Sequence, residues 1–293
     1  MAKIKVLFSL LVLGLAFVSC NDSDDTPKFK NLTLNLTGLE DLGDDYVYEG
    51  WLIVNGNAIT SGRFSVDGSG VPSQTSFSIN YEALTAATTF VLTIEPSVGD
   101  DPAPSAVHIL AGDFSGKSGD LSISHAAALG NDFSTSAGKY ILATPTDGAN
   151  NNENSGIWFL DLASGSPATG LDLPTLPAGW KYEGWAVIDG TPVTTGTFTS
   201  VNAADSFEGF SSAMNPGPPF PGEDFIINAP TGLTFPTDIA GGKAVISIEP
   251  DPDNSPNPFL LKPLVGDIPA AAIDHTTYTL GQNLNFPMGT VSR

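Results

Sequence analysis

Apolar and polar residues alternate along this chain in short runs, and no stretch shows the 3.6-residue period of a long amphipathic helix. Leu32-Thr33-Leu34-Asn35-Leu36 is a clean two-residue alternation and predicts a strand with one buried face. Tyr48-Glu49-Gly50-Trp51-Leu52-Ile53-Val54-Asn55-Gly56 predicts a strand that is apolar on both faces, ending in a residue pair that accepts two positive φ values. That stretch recurs as Tyr182-Glu183-Gly184-Trp185-Ala186-Val187-Ile188-Asp189-Gly190. The return strands also match, Ile59-Thr60-Ser61-Gly62-Arg63-Phe64 against Val193-Thr194-Thr195-Gly196-Thr197-Phe198. Each copy therefore reads as a hairpin with a type I′ turn, with a bulge or close backbone approach at Gly62 and Gly196.

The repeat continues downstream. Phe90-Val91-Leu92-Thr93-Ile94-Glu95-Pro96 matches Ala244-Val245-Ile246-Ser247-Ile248-Glu249-Pro250, and proline ends each strand because it cannot donate to a ladder. Leu110-Ala111-Gly112-Asp113 matches Leu264-Val265-Gly266-Asp267, and His125 matches His275. Met214 to Gly222 reads as an extended proline-rich loop specific to the second copy. Between the copies, Tyr140–Thr144 and Gly156–Leu160 flank Asn150-Asn151-Asn152-Glu153-Asn154, which predicts a wet-tipped hairpin, assigned to the close of the first module, with completion of the second module as the alternative for Ile157–Leu160. A Ser/Gly/Pro stretch from Ala163 to Ala168 then marks the seam. The expected organisation is all-β, with two tandem β-sandwich (immunoglobulin-like) domains at residues 30–163 and 164–293.

The start of the chain carries an address. Lys3 and Lys5 precede an apolar run from Val6 to Val18, too short to cross a bilayer core ~30 Å thick. The run ends in Phe17-Val18-Ser19-Cys20, which resembles a bacterial lipobox with Phe17 in place of the usual leucine. Residues 1–19 are thus expected to be a lipoprotein signal peptide, and Cys20, the chain's only cysteine, the lipidated residue. The acidic, apolar-free segment that follows makes residues 20–29 a flexible tether. An acidic run after the lipidated cysteine resembles the surface-export signal of Bacteroidetes lipoproteins. The expected location is the cell envelope, anchored through Cys20 to a membrane, the outer membrane first, facing the periplasm or the surface.

Charge narrows the partners. The chain carries 32 acidic residues against 11 basic ones, for a net charge of −21. A surface of that sign repels nucleic acid and anionic headgroups, so no nucleic-acid partner is expected. With a single cysteine there is no internal disulfide, and stability must come from core burial.

Leu173-Pro174-Thr175-Leu176-Pro177, then Tyr-x-x-Trp, a turn, x-x-x-Gly-x-Phe and x-Ile-Glu-Pro, resembles the extracytoplasmic C-terminal domain of anti-sigma-K factors. The resemblance covers both modules and implies a β-sandwich. It does not extend to that family's cytosolic sigma-binding domain or its transmembrane helix, so it implies only the outer, binding or sensing half.

Candidate chemistry is sparse. His108, His125 and His275 have no H-x-x-x-H or H-E-x-x-H spacing, and the matched pair reads as structural. Ala111 to Ser118 has a superficial likeness to a phosphate-binding loop but reads as a β-turn, since its first glycine is displaced and the second copy lacks Gly-Lys-Ser. Gly99-Asp100-Asp101 and Asp251-Pro252-Asp253-Asn254 could hold calcium, yet neither has a D-x-D-x-D-G loop, and solvated turns are the better account. Glu95 and Glu249 fall in different modules, so each module supplies one carboxylate where sugar hydrolysis needs two. No catalytic residue, cofactor-binding residue or metal ligand is assigned, and no cofactor is expected. The leading expectation is a non-catalytic envelope protein binding an unknown ligand. A structural or adhesion lipoprotein is the alternative, and a glycan-active enzyme is less favoured. Exposed aromatics in an apolar groove, for instance at Trp180, would mark the binding reading.

Overall fold

A computed structural model of the chain describes residues 28–293 apart from 149 and 254. The predicted signal peptide, Cys20 and nearly all of the predicted tether lie outside the described residues.

The chain is all-β, as its alternation predicts. The first copy runs β1 (Phe29–Thr37), β2 (Tyr46–Val54), β3 (Asn57–Phe64), β4 (Ser76–Asn80), α1 (Tyr81–Ala86), β5 (Thr89–Pro96), β6 (His108–Asp113) and β7 (Ser118–Ser122). Next come β8 (Ala137–Leu142), β9 (Gly156–Trp158), β10 (Leu160–Asp161), β11 (Ala168–Thr169) and β12 (Leu171–Asp172). The second copy continues with β13 (Trp180–Ile188), β14 (Thr191–Phe198), β15 (Gly222–Asp224), β16 (Lys243–Pro250), β17 (Leu264–Asp267), β18 (Tyr278–Gln282) and β19 (Met288–Ser292). The short α-helix α1 is capped by Asn80, whose side chain accepts from the backbone N–H groups of Glu82 and Ala83 at 2.9 and 3.1 Å.

These strands build two large antiparallel sheets. The first has the order β3-β2-β5-β6-β7-β19-β1-β4, and the second β14-β13-β16-β17-β18-β8-β9-β15, with β12 also paired to β8. Read against chain order, each repeat gives its last strand to the other's sheet. β8, which follows β7, pairs with β18 through Tyr140↔Tyr278 and Gly138↔Leu280. β19, which follows β18, lies between β7 and β1, with Val291 opposite both Gly119 and Leu34. The two crossing segments run together: the Phe133 and Phe286 rings meet at a tilt, 5.7 Å apart, and the Gln282 amide donates to the carbonyls of Ser134 and Ser136 at 2.7 and 2.8 Å. Arg293 fixes the end of the chain by donating to the carbonyls of Leu84 and Ala87 at 2.6 and 2.7 Å, with its guanidinium 4.3 Å above the Phe114 ring.

This exchange corrects two expectations. The hairpin of β8 and β9 exists, through Ile141↔Trp158 and Leu142↔Ile157, but it belongs to the second sheet and does not close the first. A seam at 163/164 therefore does not separate the two sheets, because β8 and β9 lie before it and β19 lies after it on the opposite side. Alternation predicts that a segment is a strand, but it does not say which sheet edge the strand will join.

Local expectations from the repeats hold. Asn55 and Gly56 have φ of 51° and 80°, and Asp189 and Gly190 have 49° and 81°, as a type I′ turn needs. The hairpin register slips between Gly50 and Trp51 and between Gly184 and Trp185, opposite Gly62 and Gly196 at φ of 128° and 119°. The bulge leaves Ser61 and Thr195 as the extra residues.

One contiguous apolar core runs through both halves, with Leu32, Phe90, Leu92, Phe159, Ile246 and Ile248 among its fully buried members. Each sheet curls until its edge strands approach. Phe64 on β3 and Phe77 on β4 sit 6.1 Å apart, and Asp205, beside Gly196 of β14, accepts from the Gly222 N–H of β15 at 2.8 Å. Tyr48 and Tyr182 donate their hydroxyls to carbonyls eight residues upstream, those of Glu40 and Pro174, which ties each approach segment to its hairpin. Trp51 and Trp185 are buried as expected, at 3% and 2% exposure, on the face of the sheet opposite the main core.

Candidate functional site

The repeated glutamates come together on that second face. Side chains two apart on a strand point the same way, so Glu49 and Trp51 share a face with Thr93 and Glu95 on the neighbouring strand. In the second copy Glu183 and Trp185 likewise share a face with Ser247 and Glu249. A hydrogen-bond chain results in each. The Trp51 indole donates to Thr93 at 2.9 Å and the Thr93 hydroxyl donates to Glu95, which also accepts the Ser105 N–H at 2.8 Å. The Trp185 indole donates to Ser247 at 2.8 Å and Ser247 donates to Glu249, which accepts the Phe259 N–H at 2.9 Å.

The copies differ in how the other glutamate is satisfied. In the first, Thr60 donates to one oxygen of Glu49, while the Arg63 guanidinium, opposite it across the hairpin, lies 3.4 Å from the second. Arg63 also lies 3.7 Å from Asp100 and donates to the Pro96 carbonyl. In the second copy Thr194 donates to Glu183 in the same way, but the residue opposite is Thr197, whose hydroxyl pairs with Ser206 at 2.8 Å. The second oxygen of Glu183 is buried without a hydrogen-bond partner. Carboxylate oxygens of Glu183, Glu249 and Asp253 lie within 4.8 Å of one another, the single such grouping of three among the described residues. Burial pushes Glu183 up to about 7 and Glu249 up to about 8, and the charge of Asp253 adds to both.

Beside this cluster a cleft of about 280 Å³ opens where the Glu-Pro strand ends of the two copies face each other. Leu42, Tyr46, Ile94, Val107 and Phe259 form its apolar wall, and Asp41, Asp251 and Asp253 stand among its lining. Trp180, anticipated as a possible exposed platform, is 3% exposed and packs behind Phe259 at 6.0 Å, so Phe259 and Tyr46 are the aromatics that line the cleft.

No family model, no curated protein and no solved structure matches this chain. The site therefore rests on its own geometry.

Other sequence candidates fall elsewhere. His108 and His125 both bond Ala127, through its carbonyl and its N–H at 2.8 and 3.1 Å. His275 bonds the Asp274 carboxylate at 2.9 Å, so the matched histidines occupy different settings. Residues 111–118 run from the end of β6 through a tight turn at 114–117 into β7, with Ser115 paired to Ser118. A second buried acidic group is Glu223 and Asp224 on β15. Glu223 accepts from Ser211, and Asp224 accepts from Thr146 and from the Trp158 indole at 2.8 Å each. Burial drives Glu223 up to about 8 and Asp205, its acidic neighbour, up to about 7. Among the described residues, no helix is long and apolar enough to cross a membrane.

The pairing of Glu183 with Glu249 escaped the sequence reading, which counted only the Glu-Pro carboxylate in each copy. The signal was present: two acidic positions repeat on adjacent strands, and Arg63 of one copy becomes Thr197 of the other.

Proposed function

We infer that this chain is a non-catalytic binding or sensing protein of the bacterial cell envelope, anchored through a lipidated Cys20. The reading follows the resemblance of both repeats to the outer domain of anti-sigma-K factors. The observation that carries it is the cleft between the copies: preformed, apolar-walled, and edged by carboxylates. Such a site suits a small ligand with an apolar body and a cationic end, since the wall buries the one and Asp41 and Asp251 attract the other.

The test is a chemical-shift titration of the full chain with phenethylamine and tryptamine as probes. Saturable shifts concentrated at Ile94, Val107 and Phe259 support the reading. Shifts scattered over the acidic surface, with none at the cleft, would favour a structural or adhesion role instead. Anchoring is tested separately by fractionating cells that carry Cys20→Ala.

A further inference from the structure

We propose that Glu183, Glu249 and Asp253 form a calcium site in the second repeat, occupying the place that the Arg63 guanidinium fills in the first. The site adjoins the cleft through Asp253, its test is read separately from that of the cleft ligand, and it departs from the sequence reading of these acidic turns as merely solvated.

The argument is a comparison of the chain with itself. Glu49 and Glu183 sit at the same register of the same hairpin, and each takes one hydroxyl, from Thr60 or Thr194. In the first copy the remaining glutamate oxygen meets Arg63, and Asp100 from the loop after Pro96 meets the same guanidinium. In the second copy Asp253 comes from the equivalent loop after Pro250, so the acidic groups are kept while Thr197 stands where the first copy has Arg63. Glu183 is 6% exposed and its second oxygen has no partner. A buried carboxylate oxygen left in that state is destabilising unless a proton or a cation compensates it. Of the nearby basic side chains, Lys181 pairs with Asp251 at 3.0 Å, and Lys262 donates to the Phe259 carbonyl at 2.6 Å while its charge acts on Glu249 and Glu40; neither forms an ion pair with Glu183 among the described residues.

The donor set selects the ion. All three groups offer oxygen, the hard ligand that calcium prefers, and among the described residues no histidine or cysteine joins them. Calcium holds its oxygens at roughly 2.3–2.6 Å, so two ligands of one ion stand no more than about 5 Å apart. The 4.8 Å bound on the three oxygens meets that condition. Three carboxylates are fewer than calcium's usual six to eight oxygens, and water or backbone carbonyls would complete the shell, which places the affinity in the range of extracellular modules.

The experiment is isothermal titration of the full chain, purified in detergent and stripped with EDTA, using CaCl2 and in parallel MgCl2. One site per chain is expected, with a Kd on the order of 10⁻⁴–10⁻³ M for calcium and weaker binding for magnesium. Thr197→Arg places the first repeat's cation opposite Glu183 and should abolish the calcium heat while keeping a cooperative melt. Asp253→Asn, on a loop, should weaken calcium at least tenfold. Absence of saturable calcium heat in the wild-type chain overturns the proposal, as does binding that both variants leave unchanged. Magnesium binding tighter than calcium overturns the choice of ion.

Discussion

Glu223 offers a sharp test of the energetics, because it is a carboxyl group with no exposed surface at all. It sits on β15, accepts the Ser211 hydroxyl and the Asp224 N–H at 3.1 Å, and faces the charge of Asp205. Burial raises it to about 8 in the folded chain, against an ordinary value of 4.5. The sign follows from linkage. Its contribution to stability is fully present below pH ~4.5 and is lost as pH rises toward ~8, since folding must take up a proton that the unfolded chain has released. Each pH unit in that window is worth about 1.4 kcal/mol, so at pH 7.5 the upper bound is about 4 kcal/mol. Glu223→Gln copies the protonated acid in shape, keeps an acceptor for Ser211 and removes the titration. Urea unfolding should show the variant and wild type equally stable near pH 4.5, with the variant more stable by about 2–4 kcal/mol at pH 8. At an m-value of about 2–3 kcal/mol/M this is a midpoint shift of about 1 M. A gain of equal size at both pH values, or a loss at pH 8, would refute the reasoning.

Other substitutions probe the remaining links. Val291→Asp puts a charge into a fully buried position of β19 and should cost at least 3 kcal/mol; hydrogen exchange should show lost protection in β1 and β7, far from it in sequence. Trp51→Ala and Trp185→Ala should each cost about 3–5 kcal/mol by urea unfolding, since both indoles are buried and hydrogen-bonded. Cys20→Ala should move the protein from the membrane to the soluble fraction, because stable anchoring relies on acyl chains; retention after a salt wash would contradict the anchor.

Much of the fold was legible because the determining interactions are local. Asn55-Gly56 and Asp189-Gly190 specify a turn through backbone conformation alone, and the glycines at 62 and 196 mark the bulge for the same reason. The burial of Trp51 and Trp185 followed from strands apolar on both faces. What was not legible depends on long-range pairing. Ile141 and Val291 alternate like any half-buried strand residue, and nothing in their own segments shows that each completes the other repeat's sheet. The carboxylate cluster was hidden for a related reason. Glu183 stands opposite Ser247, and Glu249 is its diagonal neighbour, a relation that exists only once β13 and β16 are in register.

The central structural claim is that the reciprocal strand exchange makes the two repeats one folding unit. Separate expression of 28–163 and 164–293, followed by calorimetry of each and of the refolded mixture, tests it directly. The first fragment lacks β19 and the second lacks β8 and β9, so neither alone should melt cooperatively, while the mixture should recover a single transition like that of the intact chain. A cooperative melt of 164–293 by itself, at the temperature of the full chain, would contradict the claim.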